Sequence, residues 1–353
     1  MGLRQITVVV LASALLAAGA AASGTLNIYF IDVEGGQATL IVTPAGQSLL
    51  VDAGFAGADG TFQSKPGDPR LARDARRIAT AARDAGVTRI DDLLITHFHA
   101  DHIGGVAELA RLLPIGTFID HGGVESEAET NVPGTLDAFA AYADVRRHGR
   151  HLTPSPGARL PLKGVNAVVV SAAGKTLQTP LPGAGALNPA CVGTGLAAQE
   201  VHENPRSTGF LLEFGTFRFL DVGDLTGAAL LALACPRDLI GSVDLYLVAH
   251  HGGADAAEPA TFAAFKPRAA VVNNGETKGG AAETFALMQQ VMKPDAIWQL
   301  HRSANVGARN VADGQIANLD DTTAHWIKVT ASEDGSFRVT NGRTGAATGY
   351  RSR

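Results

Sequence analysis

The stretch Thr96-His97-Phe98-His99-Ala100-Asp101-His102 restricts this chain more than any other feature. It places three of the protein's 11 histidines and a carboxylate within six positions, 97 to 102. Directly before it runs Leu93-Leu94-Ile95, which reads as a strand, and directly after it IGGVAELARLL has helical spacing. Residues two apart on an extended chain point the same way, so His97 and His99 project to one point. The turn into the helix sends Asp101 and His102 to a neighbouring point. A folded core gains nothing from so many titratable rings side by side. Imidazole nitrogens beside a carboxylate suit one or two adjacent divalent ions, with zinc the expected metal.

Two such ions need more ligands, and other strand ends carry them. The run FRFLDVGDL closes with Asp224, placed to bridge two cations, and VDLYLVAHHGG closes with His250 and His251. His121 in FIDHGG, Asn273-Asn274-Gly275 and His301 also sit at strand ends and read as structural more than catalytic. His148, His151 and His325 read as surface or packing residues.

The rest of the chain supplies a frame for these strand ends. Thr25 to Val33, ATLIVTP and QSLLVDAGF read as a meander punctuated by Gly35-Gly36 and Pro44-Ala45-Gly46. Arg70 to Gly86 has helical spacing, with Leu71, Ile78, Ala81 and Ala82 on one face and arginines on the other. A looser middle, about 125 to 164, carries Pro133, Pro154, Pro156 and Pro161. Beyond it come the strand AVVVSA, a Gly/Pro-rich connection from Gly174 to Asn204, and a hairpin of TGFLLEFG with FRFLDVGD. The helix AALLALA and further strands at VDLYLVA, RAAVVNNG, DAIWQLH, HWIKVTA and SFRVTNG follow. The order describes two similar halves, each laying helices on a sheet, and so an α/β or α+β fold. With 46% hydrophobic and 18% charged residues the chain can bury a sizeable core.

Residues 1–22 stand apart. One arginine precedes an uninterrupted apolar run, and Ala20-Ala21-Ala22 suits a cleavage site. The run is short for a membrane span, which needs about 20 apolar residues. The expectation is a cleaved signal peptide, an exported protein (periplasmic or secreted), and a single domain over 23–353 with no membrane segment after cleavage. Loss of Arg4 would take the net charge from −5 to −6, which argues against a stable nucleic-acid complex. Cys191 and Cys235 either pair in an oxidising compartment or stay as two buried thiols. The tail, about 311–353, has no readable role beyond covering the domain or adding strands.

HFHADH at 97–102, the early Asp52 in VDAG, Asp224 in GD and His250-His251-Gly252 resemble the metallo-β-lactamase superfamily. More narrowly, FIDVEGGQATLIV, NPRSTGFLLEFGTFRFLDVGD and LVAHHGG are similar to the hydrolase domain of ComEC-type competence proteins, and closer still to exported stand-alone relatives of it, over roughly residues 25 to 300. The resemblance implies a four-layer αββα sandwich with the site at one edge, between the sheets. It assigns His97 and His99 to a first metal, Asp101 and His102 to a second, and Asp224 to a bridge. His251, with His250 as its rival, would complete the second position, and Asp52 would brace the histidine loop. One departure stands out. A third histidine of the first position, which many members carry, falls here on Asn204, with His202 two residues away as a substitute. The first metal would then be weakly held, and a single ion at the second position is the alternative.

This ligand set implies hydrolysis by a metal-activated water, with Asp101 and Asp224 as the catalytic carboxylates and His121, Asp52 and Asn204 as supporting or substrate-facing residues. A small-molecule or phosphodiester substrate is expected first. A carbonyl substrate such as a lactone or β-lactam is second, and an exported metal-binding protein without turnover is third.

Overall fold

The computed structural model describes residues 24–57, 68, 70–125, 127–191 and 202–353. The expected leader at 1–22 lies outside the described residues. The first half opens with β1 (Thr25–Phe30), β2 (Thr39–Val42) and β3 (Ser48–Val51). It continues through α1 (Arg73–Asp84), β4 (Ile90–Leu94), α2 (Ala100–Ile103), α3 (Val106–Leu109), β5 (Ile115–Ile119), α4 (Glu127–Asn131), α5 (Thr135–Arg146) and β6 (Arg150–Leu152). The second half runs β7 (Asn166–Ala172), β8 (Lys175–Thr176), β9 (Gly209–Phe214), β10 (Phe217–Asp221), α6 (Gly227–Ala232), β11 (Leu245–Leu247) and α7 (Pro259–Phe265). After these come β12 (Ala269–Val272), α8 (Ala282–Val291), β13 (Ile297–His301) and β14 (Ile316–Asn318). The tail forms β15 (Ile327–Ser332), β16 (Ser336–Asn341) and β17 (Ala347–Arg351).

Among the described residues these strands make two sheets, ordered β17-β16-β15-β1-β2-β3-β4-β5-β6 and β14-β13-β12-β11-β10-β9-β7-β8. Each half starts antiparallel and turns parallel: β3 to β6 run parallel in one sheet, β10 to β14 in the other. Successive side chains on a strand face opposite ways. Leu26, Ile28 and Phe30 on β1 therefore meet Phe210, Phe219 and Trp298 between the sheets, while Tyr29 turns outward beneath the first-half helices. Ile78 and Ala82 of α1 cover that outer face, and Phe262, Phe265, Phe285 and Met288 of α7 and α8 cover the outer face of the other sheet. The result is a mixed α/β sandwich with its sheets inside and helices outside. Because both faces of the central strands are buried, their sequences read as continuous apolar runs. Each large side chain packed there contributes roughly 1.5–3 kcal/mol.

The tail strands join both sheets, β14 beside β13 and β15 beside β1. Three details differ from the sequence reading. Helix α1 begins at Arg73, leaving Leu71 outside it and 62% exposed. The segment IGGVAELARLL breaks into two short turns, so Asp101 and His102 lie inside α2 rather than ahead of a helix. The loose middle contains the twelve-residue α5, whose alanines and scattered polar residues gave no apolar stripe to detect. Cys191 and Cys235 form a disulfide that ties the long connection to the end of α6. Among the described residues no helix is long and apolar enough to cross a membrane.

Candidate metal centre

The site forms where the C-terminal ends of parallel strands from both sheets meet, the usual crevice for ligands in such sheets. Asp52 follows β3 with φ +59. Its carboxylate accepts the Thr96 N–H (2.8 Å), the Thr96 hydroxyl (2.7 Å) and the His102 Nδ1–H (2.7 Å). One buried side chain thus clamps both ends of the histidine loop. The Gln37 N–H binds the Asp101 carbonyl (3.1 Å) and the Ala53 N–H the His102 carbonyl (2.7 Å). From the second half, the Thr208 N–H binds the Thr96 carbonyl (2.8 Å). Gly223, with φ +55, lies so close that a Cβ there would sit 2.7 Å from the Thr96 Cβ.

Asp101, His102, Asp224 and His251 are buried, and one ligand atom from each lies within 4.8 Å of all the others. His102 Nε2 is 3.2 Å from Asp101 Oδ2 and 3.1 Å from Asp224 Oδ2, and His251 Nε2 is 3.1 Å from both carboxylates. The hydrogen bonds define what this cluster needs. Asp52 can only accept, so His102 carries its proton on Nδ1 and a neutral ring turns an Nε2 lone pair toward two further acceptors. A divalent metal would make that meeting favourable with the ring neutral, and the donor set suits one. Without one, burial works against a charged ring, but Asp224, Asp101 and Asp52 prevail and hold the His102 pKa well above its usual value. Burial likewise opposes ionisation of Asp224, yet the histidines around it hold its pKa well below the usual carboxylate range.

His97 and His99 face this cluster from the strand side. Their nearest ring nitrogens are 2.9 Å apart, and His97 Nε2 is 3.8 Å from Asp224 Oδ2. Because the Thr96 hydroxyl spends its proton on Asp52, its oxygen accepts from His97 Nδ1 (3.1 Å), which leaves His97 Nε2 with a lone pair. Burial lowers both rings' pKa values, that of His99 to about 4 and that of His97 well below normal. Both are neutral and ready to ligate at physiological pH. His99 Nε2 and Asp224 Oδ1 are buried without hydrogen-bond partners.

The rival histidines separate. His251 joins Asp101 and His102, whereas His250 is half-buried at the rim of the cluster, its Nε2 3.8 Å from Asp224 Oδ2 and 3.3 Å from the Asn204 amide nitrogen. His202 uses its Nδ1 to accept the Asn204 N–H (3.2 Å). His121 bonds Glu203 (2.9 Å), which also accepts the Phe98 N–H between the two strand-side histidines (3.1 Å), and the His121 ring packs on Phe98. His301 ends β13 with its Nε2 3.4 Å from Glu34, in a cluster with Asp32 to which Arg77 already brings positive charge. His151 bonds Asp120 (2.9 Å) on the far side of β5.

Sequence reasoning passed over four residues that touch the centre or its supports: Thr96, Glu203, Asp255 and Lys278. The Lys278 ammonium contacts Asp101 Oδ2 and the Gly35 carbonyl, and Asp255 accepts from His250 Nδ1 at 2.7 Å. Lys278 follows β12 at the same strand-end edge as the ligands, and that position was the available signal.

Residues 31–185 match the family model described as the metallo-beta-lactamase superfamily. Over those residues the chain matches a metallo-beta-lactamase superfamily domain. The match takes in the histidine loop, while Asp224 and His251 lie beyond it and join through the fold. Among solved structures, a Cronobacter sakazakii metallo-beta-lactamase with a HARLDQ motif is 17% identical with a TM-score of 0.31, over 56% of this chain and 60% of that one. The metallo-beta-lactamase fold protein YhfI from Bacillus subtilis is 11% identical with a TM-score of 0.42, over 79% and 97%. A diphosphatase of the PhnP family is 12% identical with a TM-score of 0.38, over 86% and 97%. The chain therefore spans about 60% of the Cronobacter protein's length. No curated protein sequence matches the chain. Members of this superfamily bind divalent metals, and Asp101, His102, Asp224 and His251 are this domain's candidate ligands.

Proposed function

We propose that the protein is an exported metal-dependent hydrolase, with a phosphodiester as its substrate class. The observation that carries the reading is the buried set Asp101, His102, Asp224 and His251, whose lone pairs and carboxylates converge where strand ends of the two sheets meet. A divalent metal held there, zinc being the expected one, supplies Lewis acidity that activates water and polarises the bond under attack. The chain's own groups do the rest. Asp52 fixes the tautomer of His102, Asp224 links the two sets of histidines, and Asp101 and Asp224 offer carboxylate oxygens that orient an attacking water. Lys278 brings a positive charge beside Asp101, suited to a non-bridging phosphoryl oxygen. The motif resemblance to ComEC-type hydrolase domains supports the same substrate class, and the Cys191–Cys235 disulfide supports export.

The test is to load the protein with zinc or manganese and offer an activated phosphodiester, a lactone and a chromogenic β-lactam. Diester turnover, lost together with metal in Asp224→Ala, is the expected result. Turnover of the β-lactam or lactone alone would overturn the substrate class, and activity surviving Asp224→Ala would overturn the site.

A further inference from the structure

We propose that His250, oriented by Asp255, supplies the missing third histidine of the metal position facing His97 and His99, in place of Asn204. The inference rests on the metal-dependent reading of the site but not on its substrate. Donor atoms sharing one tetrahedral ion through bonds of about 2.0–2.1 Å lie roughly 3.4 Å apart. His250 Nε2 and His97 Nε2 are each 3.8 Å from the same atom, Asp224 Oδ2, a few tenths of an ångström beyond that spacing. Asn204 offers an amide there and spends one N–H on His250 Nε2 (3.3 Å). With its Nδ1–H given to the Asp255 carboxylate, a neutral His250 keeps its lone pair on Nε2, the form a ligand requires.

The support behind the ring repeats the support behind His102. His102 gives its Nδ1–H to Asp52 at 2.7 Å and turns Nε2 to Asp224, and His250 gives its Nδ1–H to Asp255 at 2.7 Å and turns Nε2 to Asp224. Carboxylate-backed imidazole is the common arrangement around protein metals. The backbone agrees. His250 and His251 are consecutive residues at φ +49 and +54, a region that side-chain-bearing residues hold only where their surroundings enforce it. That double left-handed turn brings two adjacent rings to Asp224 Oδ2, His251 Nε2 at 3.1 Å and His250 Nε2 at 3.8 Å, with their centroids 5.9 Å apart. An ordinary strand end would deliver a single ring. His202, the other candidate, has its Nδ1 committed to the Asn204 N–H.

Zinc titration of the metal-free protein by calorimetry and chelator competition tests this without reference to activity. The wild type should bind two ions with unequal affinity. His250→Ala should lose the weaker event or weaken it at least tenfold, leaving the tighter event as proof of folding. Asp255→Asn should weaken the same event by about ten- to a hundredfold, while Asn204→Ala should retain it. The proposal falls if His250→Ala keeps both affinities, if Asn204→Ala loses the weaker event, or if the wild type binds one ion only. Loss of the weaker event in a protein that leaves diesters uncut would uphold this assignment and reject the substrate reading.

Discussion

Asp52→Asn is the most informative single change to this protein. Asparagine tolerates the left-handed backbone at position 52, φ +59, so the turn is kept. Its Oδ1 still accepts the Thr96 N–H, but an NH2 group replaces the oxygen that now receives the Thr96 hydroxyl and His102 Nδ1 at 2.7 Å each. The new group can only donate. His102 must then present an Nδ1 lone pair and carry its proton on Nε2, pointing into the ligand cluster. The Thr96 hydroxyl, freed of its acceptor, donates to His97 Nδ1 and moves that ring's proton to Nε2 as well. One buried oxygen-to-nitrogen exchange thereby reverses two histidines. A lost carboxylate behind a ligating histidine weakens metal binding by about ten- to a hundredfold, roughly 1.4–2.7 kcal/mol. The metal-free variant keeps its packing but loses the share of the His102 stabilisation that Asp52 supplies, so it should unfold more readily than wild type. Thermal unfolding with and without saturating zinc reads both quantities, because the stabilisation by metal shrinks by RT times the logarithm of the affinity ratio. Metal affinity equal to wild type would refute the tautomer argument.

Three further outcomes follow from the same geometry. His102 is held above its normal pKa, so its contribution to the metal-free fold is complete below about pH 6.5 and is lost as pH rises through the raised value. Metal must displace that proton, so zinc affinity should climb by up to about tenfold per pH unit in that range, and a pH-independent affinity from competition titrations would contradict it. Gly223→Ala forces a Cβ to 2.7 Å from Thr96 at φ +55. It should cost about 2–4 kcal/mol by denaturant unfolding and weaken metal binding together, and an unchanged midpoint would show the two halves are less tightly apposed. Replacing both Cys191 and Cys235 with serine opens a cross-link spanning 44 residues and should cost about 2–4 kcal/mol. The loss should disappear when the wild type is compared under reducing conditions.

Much of this centre was legible because its ligands sit at strand ends, where an apolar run stops and a polar residue must face the edge. His97, His99, Asp101, His102 and Asp224 announce themselves in that way. The resemblance pointed to His251, but the placement of His250 beside Asn204 and Asp255 was not legible, since it depends on two consecutive left-handed residues that no periodicity reports. Lys278, Glu203 and Asp255 were missed because each lies in a loop or a single tight turn and acquires its meaning from a partner distant in sequence or turned by the fold, such as Asp101, 177 residues from Lys278. The strands could be read from apolar runs along the chain, but their order within the two sheets, with the tail strands beside β1 and β13, could not. Helix α5 could not, because alanine-rich helices bury little and show no stripe.

Asp101 and His102 belong to one half of the sandwich, Asp224 and His251 to the other. A bound ion would therefore act as a rivet between the two sets of strand ends, and its removal would be felt as slack there rather than as loss of the fold. Hydrogen exchange should quicken after chelation around Thr96, Thr208 and Gly223. It should stay slow at β1 and β15, whose pairing knits the tail to the first strand on the opposite flank of the sheet.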